Sequence, residues 1–464
     1  MNGPWSDWGL IDTWIVITAA LAAMACALPG TFLLLRRESL MGDALSHATL
    51  PGIVLAFLAL HALEDAGWLS ASGFAAWRHP ALFVGAAITG VLCGVLTEKL
   101  QRWGRMEPSA ALGVVYTSFF ALGLLLVRTS ADQAHIDPGC VLYGNLEMVI
   151  TDTIGRTGIP RAVAVNAAML AINAVLLIVF YKELQLCTFD RDLARSLGIP
   201  ADRIHLALIA ITGATVVAAF DSVGSILVIA MLVAPPATAI LLSDRLQSVL
   251  IGAVVVAAVT ALGGHLAALA VPAVIEGVFR TTTTSSVSTA GMMAVVSGTL
   301  FLAAWCFSPR HGLLRQWYDR AHLRQRILSE DVLGVLYRLE ELRPDVTPGA
   351  DRASLAATLS VAPWRLWRAL SRLTKRGWIE PGGQGVMLTD VGRTIARGLV
   401  RSHRLWESYL AKHFIVPDQR LHQLAEAAEH FVGPQVQQAL AEELEQPLHD
   451  PHGSKIPPAD HNTR

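Results

Sequence analysis

IDTWIVITAALAAMACALPGTFLLL, residues 11–35, contains a single charged side chain, that of Asp12. A helix needs about 20 mostly apolar residues to cross the roughly 30 Å hydrocarbon core of a bilayer, so this stretch predicts a membrane-spanning helix. Eight further apolar runs follow, at residues 44–62, 81–100, 109–127, 161–181, 204–221, 223–242, 247–271 and 288–307. The sequence therefore predicts about nine spans, with a tight turn or a re-entrant hairpin near residues 220–222.

The whole chain of 464 residues is 53% hydrophobic and only 16% charged, whereas soluble proteins carry about 25% charged residues. This average hides two unlike regions, because polar residues concentrate after about residue 309. The predicted fold is an all-α polytopic membrane bundle, residues 1–310, followed by a soluble region. Within that region we expect domains at 311–400 and 401–447, and a Pro- and His-rich disordered tail at 448–464.

Basic residues concentrate in alternate connections between the predicted spans, and the other connections hold acidic residues with fewer arginines. The basic residues of the first set are Arg36, Arg37, Lys99, Arg102, Arg105, Lys182, Arg191, Arg195, Arg203, Arg245 and the dense Arg-rich run at 310–326. Because positively charged loops stay in the cytoplasm, these connections are predicted to be cytoplasmic. This orientation places the N-terminus outside the cell inner membrane and the soluble region in the cytoplasm.

Glycine and proline interrupt several of the predicted spans, as in Ala234-Pro235-Pro236 and Gly263-Gly264. Broken helices free backbone groups to line a pathway, which favours a transporter over a simple membrane anchor. The alternative is close helix packing through small residues.

Asp43 and His47 lie four residues apart at the start of the second apolar run. On a helix, both side chains project from one face. Ionisable residues that enter a membrane span are costly and usually functional. A carboxylate with an imidazole suits Mn²⁺, Fe²⁺ or Zn²⁺. The alternative is an Asp that caps the helix start and a His that is hydrogen-bonded within the bundle.

Residues 186–200, LCTFDRDLARSLGIP, form a second charged segment on the predicted cytoplasmic side. Glycine and proline stop the pattern, which predicts a short amphipathic helix between two spans. Such a helix presents a docking surface to a cytoplasmic partner.

With DSVGSILV at residues 221–228 and APPATA at 234–239, these segments resemble the permease family of manganese, zinc and iron ABC importers over residues 11–307. The resemblance implies that Asp43 and His47 contact the transported metal. It also implies that the Phe-Asp-x-x-x-Ala-x-x-x-Gly segment docks on the ATPase through Phe189, Asp190, Ala194 and Gly198. Further implications are an extracytoplasmic metal-binding protein and a second permease copy in a lipid-embedded dimer.

No Gly-x-x-x-x-Gly-Lys-Ser/Thr motif, the loop that cradles nucleotide phosphates, occurs in the sequence. If transport is driven by ATP, hydrolysis is therefore expected on a separate ATPase chain, and this chain is a non-catalytic subunit.

The soluble region begins with a helix–turn–helix pattern at residues 354–376, followed by a glycine-tipped hairpin near 382–389. This order of elements predicts a winged helix. The second helix carries Arg365, Arg368 and Arg372, which are candidate contacts to DNA or to a partner protein. A winged helix that binds only protein is the alternative.

Histidine and glutamate recur at helical spacing further along the chain, at His403, Glu407, His422, Glu426, Glu429 and His430. On two continuous helices these residues form stripes at i, i+3 and i+4, which makes a binuclear metal site plausible. Charges on exposed helix faces are the alternative, although that alternative does not require histidine.

Residues 328–447 resemble the diphtheria-toxin-repressor family of metal-dependent regulators. The resemblance rests on LTKRGWIE at 373–380 and on the His/Glu stripes. The resemblance implies that these six residues and Asp331 are ligands of Mn²⁺ or Fe²⁺. Glu-x-x-Glu-His at 426–430 resembles the manganese-responsive branch. Gly334 replaces a second carboxylate expected in the first helix, which implies that one of the two metal positions is weakened.

Three functions are consistent with the sequence. The first is the permease subunit of a metal importer whose cytoplasmic domain senses the imported metal. The second is a membrane-tethered, metal-responsive transcription regulator. The third is a proton-coupled secondary transporter that needs no ATPase.

Overall fold

The computed structural model describes residues 8–130, 144, 146–154, 158–279, 287–310, 312–342, 350–382, 385–415 and 417–459. The chain divides into two compact units, Met1–Arg315 and Gln316–Arg464. This division lies close to the boundary expected after residue 310.

The described part of the first unit is mostly helical. Its helices are α1 (Leu10–Leu35), α2 (Leu40–Ala48), α3 (Leu50–Asp65), α4 (Ala71–Gly104), α5 (Pro108–Ser130), α6 (Arg161–Val179), α7 (Tyr181–Phe189), α8 (Arg191–Ser196), α9 (Ala201–Leu242), α10 (Leu246–Phe279) and α11 (Thr289–Phe307). A 3-10 turn at Leu146–Thr151 precedes α6.

Nine candidate membrane spans occur among the described residues, which confirms the predicted number. The second span, Leu40–Asp65, combines α2 and α3, and the long helix α9 supplies two spans. Gly224 breaks α9, with φ 76° and ψ 165°. Glycine adopts this conformation without the steric cost that a Cβ imposes. The break therefore lies just after the turn predicted at residues 220–222.

Small residues let the membrane helices approach closely. A Cβ on Gly52 of α3 would lie 2.1 Å from the carbonyl oxygen of Gly85 on α4, and one on Gly30 of α1 would lie 2.2 Å from that of Leu232 on α9. Lipid tails are as apolar as leucine, so contact between membrane helices depends on close packing of this kind.

Buried amides add polar links between the helices of this bundle. The side-chain amide of Asn173 donates to the Ala25 carbonyl at 2.9 Å and to the Thr215 hydroxyl at 3.0 Å, which joins α6 to α1 and α9. Asn166 donates to the Ser222 hydroxyl at 3.1 Å. Because no water competes within the bilayer core, paired polar groups of this kind fix which helix faces meet.

The second unit combines helices with one small sheet. Its elements are α12 (Leu313–Leu342), α13 (Arg352–Thr358), α14 (Pro363–Lys375), β1 (Ile379–Gly382), β2 (Gly385–Leu388), α15 (Asp390–His413), α16 (Asp418–Ala428) and α17 (Pro434–Glu443). The strands pair antiparallel, with Ile379 opposite Leu388. The helix break predicted at 344–349 and the hairpin tip at 383–384 lie outside the described residues.

The expectation of a disordered tail from residue 448 is wrong for residues 448–459. Ile456 is only 5% exposed and packs in a cluster with Leu405 of α15 and Leu440 of α17. His449 and Lys455 form an antiparallel bridge. One apolar side chain in a proline-rich segment thus packs against residues that are distant in sequence. The composition of the segment alone does not indicate this contact. Residues 460–464 lie outside the described part of the chain.

Candidate metal sites

The Asp43 carboxylate and the His47 imidazole project together from α2. Asp43 Oδ1 lies 3.4 Å from His47 Nε2, and the two side chains are 38% and 35% exposed. Two rings of α5 flank the imidazole, with centroid distances of 5.1 Å to Phe120 and 6.4 Å to Tyr116. The pair is therefore neither solvated as in a loop nor sealed in a dry core, and a cation can reach both ligand atoms.

The backbone is interrupted directly after this pair. Helix α2 ends at Ala48 and α3 begins at Leu50. Pro51 has no N–H to donate to the carbonyl of His47, four residues earlier. The His47 carbonyl instead accepts a backbone N–H at the C-terminal cap of α2, so it remains paired. A short helix break beside ionisable side chains is typical of the broken helices that line transport pathways.

The segment predicted to dock on the ATPase contains a short helix, α8, as its sequence indicated. Asp190 caps α8, because its carboxylate accepts a hydrogen bond from the Leu193 amide at 2.9 Å. Gly198 ends the segment with φ 80°. Ala194 is fully buried, whereas Phe189 and Leu197 are each 64% exposed. Exposed apolar side chains on either side of a fixed short helix form a surface suited to protein contact.

Arg191 of α8 ties this segment to the rest of the bundle. Its guanidinium lies 2.6 Å from Asp202 on α9 and 3.5 Å from Glu98 on α4. Glu38, just before α2, lies 3.7 Å from His205 and 4.0 Å from Arg36. Burial raises the pKa of Glu38, although the positive charges of Arg36 and Arg191 lower it. A charged cluster thus extends from α8 to the start of the helix that carries Asp43.

Among its described residues, the second unit contains two groups of side chains that can hold a metal ion. The first, here called the carboxylate-rich group, consists of Asp331, Glu429 and His430. His430 Nε2 lies 3.1 Å from Asp331 and 3.9 Å from Glu429 Oε1. The Nδ1 of the same ring lies 2.8 Å from the Glu330 carboxylate.

The second group, here called the histidine-rich group, consists of His403, Glu407 and His422. His403 Nε2 lies 3.1 Å from His422 Nδ1 and 3.8 Å from Glu407 Oε2, and His422 Nδ1 lies 3.4 Å from Glu407 Oε1. Glu407 is only 2% exposed. A buried carboxylate that faces two imidazoles is well placed to compensate a bound cation.

His403 contacts a member of each group and so links the two. Its Nδ1 lies 2.6 Å from Glu429 Oε2, while its Nε2 faces the histidine-rich group. A metal-ligating histidine commonly donates its second N–H to a carboxylate, which fixes the tautomer and the ring orientation. Glu429, only 5% exposed, is therefore shared between the two groups.

Glu426 is the one predicted regulatory ligand that the structure brings into neither group. Its side chain is exposed. The prediction assumed one continuous helix over residues 421–430, but α16 ends at Ala428 and residues 429–431 form a 3-10 turn. The tighter 3-10 winding rotates Glu429 and His430 away from the stripe on which Glu426 lies.

Sequence reasoning missed Glu330. This carboxylate precedes Asp331 and lies one helical turn before Gly334 on α12. Its position beside His430 offers a second first-helix carboxylate where Gly334 provides none. Two adjacent acidic residues at positions 330 and 331, in the middle of α12, were a detectable signal. His452, whose Nε2 lies 3.1 Å from Glu407, was also missed, since it was placed in the disordered tail.

The charge on His430 predicts pH-dependent metal binding. Burial lowers the pKa of this histidine, but its hydrogen bonds to Asp331 and Glu330 outweigh burial and raise the pKa to about 9. Metal must displace that proton, so affinity is expected to rise about tenfold per pH unit between about pH 6 and 8. Mn²⁺ titrations of the full chain at several pH values measure this slope. A flat profile, or the same slope in His430→Gln, would contradict it.

The arginines of α14 lie at or near the surface. Arg365 and Arg368 are exposed, and their guanidinium carbons lie 5.2 and 5.0 Å from the centre of the Trp364 ring. Arg372 is half-buried, and Trp367 is 61% exposed. Cation–π contacts thus place the guanidinium groups of Arg365 and Arg368 against the Trp364 ring at the surface.

Comparisons with known families support both halves of this description. Residues 11–308 match the model of the ABC 3 transport family. Residues 389–458 match that of the iron dependent repressor, metal binding and dimerisation domain. The resemblance of residues 11–307 to the permease family is thereby confirmed, and the resemblance to metal-dependent repressors is confirmed from residue 389 onward.

The chain is also similar to individual proteins of known sequence or structure. The chain is 36% identical over 306 residues to the manganese transport system membrane protein MntD of Bacillus subtilis, covering 65% of this chain and 94% of that protein. It is 34% identical over 388 residues to the zinc transport system membrane protein TroD of Treponema pallidum, covering 82% and 97%. Among solved structures, PsaBC from Streptococcus pneumoniae in complex with Fab is 27% identical, with 66% and 95% covered and a TM-score of 0.48.

Proposed function

Because the chain belongs to the ABC 3 transport family, we propose that it is the membrane-spanning permease subunit of an ATP-driven importer for a divalent transition metal. Mn²⁺ is the favoured substrate, ahead of Fe²⁺ and Zn²⁺. The observation that carries this proposal is the pair formed by Asp43 and His47, whose ligand atoms lie 3.4 Å apart on one accessible helix face within a span.

The chemistry of this pair suits a cation that must bind and then leave. One carboxylate oxygen and one imidazole nitrogen form a set of borderline hardness, appropriate to Mn²⁺, Fe²⁺ and Zn²⁺. Two side-chain ligands leave other coordination positions open, unlike the closed four-ligand sites that hold structural metals.

The proposed partners follow from the surfaces of the membrane unit. Phe189, Asp190, Ala194 and Gly198 position the segment on which a separate ATPase chain docks. An extracytoplasmic metal-binding protein delivers the ion, and a second permease copy completes the pathway within the lipid of the cell inner membrane. In this arrangement the soluble unit is cytoplasmic.

The soluble unit is proposed to sense the imported metal and to slow transport when cytoplasmic metal is plentiful. The support is the pair of His- and carboxylate-containing groups, joined through His403 and Glu429, within a region that matches a repressor metal-binding domain. The oxygen-rich character of the carboxylate-rich group favours Mn²⁺ or Fe²⁺.

A second candidate function rests on the exposed basic and aromatic face of α14. In this alternative, residues 350–388 form a winged helix that holds DNA through Arg365, Arg368 and Arg372, and the protein is a tethered transcription regulator. Metal-dependent DNA binding by the full chain, with affinity falling steeply as salt rises, would favour this alternative.

Metal accumulation in membranes that contain this chain and its ATPase tests the importer proposal. Uptake is expected to stop when ATP is depleted while a proton gradient is maintained. Uptake that continues under those conditions would instead support a proton-coupled secondary transporter.

Coupling between the ATPase and the metal pair is expected to depend on Arg191. Arg191→Ala removes the link from α8 to Glu98 and should lower uptake by about 2- to 30-fold while ATP hydrolysis continues, since such changes shift coupling by about 0.5–2 kcal/mol. Arg195→Ala is the matched control, because Arg195 contacts Asp202 from the same helix at a more exposed position. Equal effects of the two variants on uptake per ATP would contradict the assignment.

A further inference from the structure

The last membrane helix, α11, ends in aromatic side chains. Trp305 and Phe307 lie in its final turn, and Phe307 is 74% exposed. Aromatic rings at the end of a span mark the level of the lipid headgroups, where apolar and polar surroundings meet. Helix α12 begins soon afterwards, at Leu313, and therefore starts near this level.

The connection between α11 and α12 is tightly folded and is held to the bundle. The Ser308 hydroxyl donates to the Leu241 carbonyl of α9, and the Gly312 amide donates to the Ser308 carbonyl. Arg310 forms an ion pair with Asp244, just after α9. A Cβ on Gly312 would lie 2.3 Å from the Ser308 carbonyl oxygen, so the turn requires glycine. These contacts fix the start of α12 at the end of the membrane bundle.

The first part of α12 is exposed around its whole circumference. Every side chain from Leu313 to Arg324 is exposed, whereas Val332 and Leu336 of the same helix pack in an apolar core. The exposed side chains include Trp317, whose exposed fraction is 71%. Large apolar side chains that cluster at a surface mark a site for a partner or a membrane.

Apolar and basic side chains share one side of this exposed part. The apolar side chains recur at i, i+1, i+4 and i+8 and are Leu313, Leu314, Trp317 and Ala321. This spacing places them on one face of the helix. Arg320 and Arg324 follow Trp317 at i+3 and i+7, so they lie along the same side. Their long stems can cross an apolar surface while their charged ends reach phosphate groups.

The charge of the segment distinguishes between possible occupants of this face. Residues 310–326 contain five arginines and a single acidic residue, Asp319. Clusters of basic residues directly after a span bind the anionic lipids of the cytoplasmic leaflet. A second copy of the helix would instead bring like charges together, which is unfavourable. Charge complementarity therefore favours an anionic membrane surface.

We propose that residues 313–324 form an interfacial helix that binds anionic phospholipid headgroups at the cytoplasmic surface of the membrane. Trp317 and its apolar neighbours enter the boundary between headgroups and acyl chains, while Arg320 and Arg324 contact lipid phosphates. The inference rests on the proposed cytoplasmic location of the chain after α11. It does not depend on which metal is transported.

Photo-crosslinking of the full-length chain, with its ATPase, in nanodiscs tests this proposal. Benzoylphenylalanine replaces Trp317 in one sample and Asp319, on the opposite side of the helix, in the matched control. The nanodiscs contain phosphatidylcholine alone or with an equal share of phosphatidylglycerol, and mass spectrometry identifies the adducts. Position 317 should form mainly lipid adducts, with a higher yield in the anionic nanodiscs, whereas position 319 should form few.

Removal of single charges provides a second readout. With the crosslinker at position 317, Arg320→Gln and Arg324→Gln should each lower the lipid-adduct yield in anionic nanodiscs by about fivefold, the contribution of one arginine near an anionic surface. The yield in neutral nanodiscs should change far less. Arg352→Gln, which removes an exposed arginine from α13, is the control and should leave both yields unchanged.

Adducts from position 317 to the ATPase or to a second copy of the chain, in place of lipid, would overturn the proposal and assign this face to a protein partner. Lipid yields at position 317 no higher than those at position 319 would also overturn it, as would yields that do not depend on phosphatidylglycerol. These measurements involve neither metal nor uptake, so failure of the importer proposal would leave their outcome unchanged.

Discussion

Replacement of either Asp43 or His47 by alanine is expected to abolish most metal uptake. Each variant leaves one ligand of a pair whose reactive atoms lie 3.4 Å apart. Second-shell changes alone cost about 10–100-fold in metal affinity or activity, so loss of a direct ligand should cost at least that much. Initial rates of Mn²⁺ accumulation, with the ATPase co-expressed, measure the effect.

Two residues of the same span serve as controls for this result. His61→Ala and Asp65→Asn remove an imidazole and a carboxylate near the far end of α3, where His61 contacts the Phe57 carbonyl at 3.2 Å. Both should retain uptake within about twofold, as expected for surface substitutions within about 0.5 kcal/mol. If Asp43→Ala and His47→Ala transported as well as these controls, the pair would not lie on the pathway.

Disabling Glu429 is expected to relieve inhibition by cytoplasmic metal. Glu429 is buried, accepts from His403 and contributes an oxygen to the carboxylate-rich group, so Glu429→Gln removes a charge that both groups use. Coupling between sites typically amounts to 5–150-fold, about 1–3 kcal/mol. We therefore expect metal loading to slow the wild type by a factor in that range and to leave Glu429→Gln at its unloaded rate.

Uptake into vesicles preloaded with Mn²⁺ on the cytoplasmic side measures this feedback. Removal of residues 316–464 should have the same effect as Glu429→Gln, whereas Glu442→Gln, an exposed carboxylate on α17, should behave as the wild type. Feedback that persists after removal of the whole unit would show that regulation arises elsewhere.

The membrane architecture was predictable because bilayer thickness dictates the length of each apolar run. All nine spans occur close to their expected positions. Asp43 and His47 were predictable for a similar reason, since i, i+4 spacing alone places two side chains on one helix face. The helix break at Gly224 was only approximately predicted, because several small and polar residues near it make an equally good turn.

Two features of the second unit could not be predicted from the sequence. The spacing of Glu426 and His430 predicted one stripe, but a change from α-helix to 3-10 turn at Glu429 depends on packing and not on local sequence. The contact of His452 with Glu407 joins residues 45 positions apart, through the burial of Ile456. A long-range contact of this kind has no periodic signal in the segment itself.

The most direct measurement is the anomalous scattering of Mn²⁺ soaked into crystals of the complex of this chain with its ATPase. We predict a manganese peak within about 2.3 Å of both Asp43 Oδ1 and His47 Nε2, the range of oxygen and nitrogen bonds to divalent metals. A peak elsewhere in the membrane unit, with those two side chains turned toward lipid, would contradict the account.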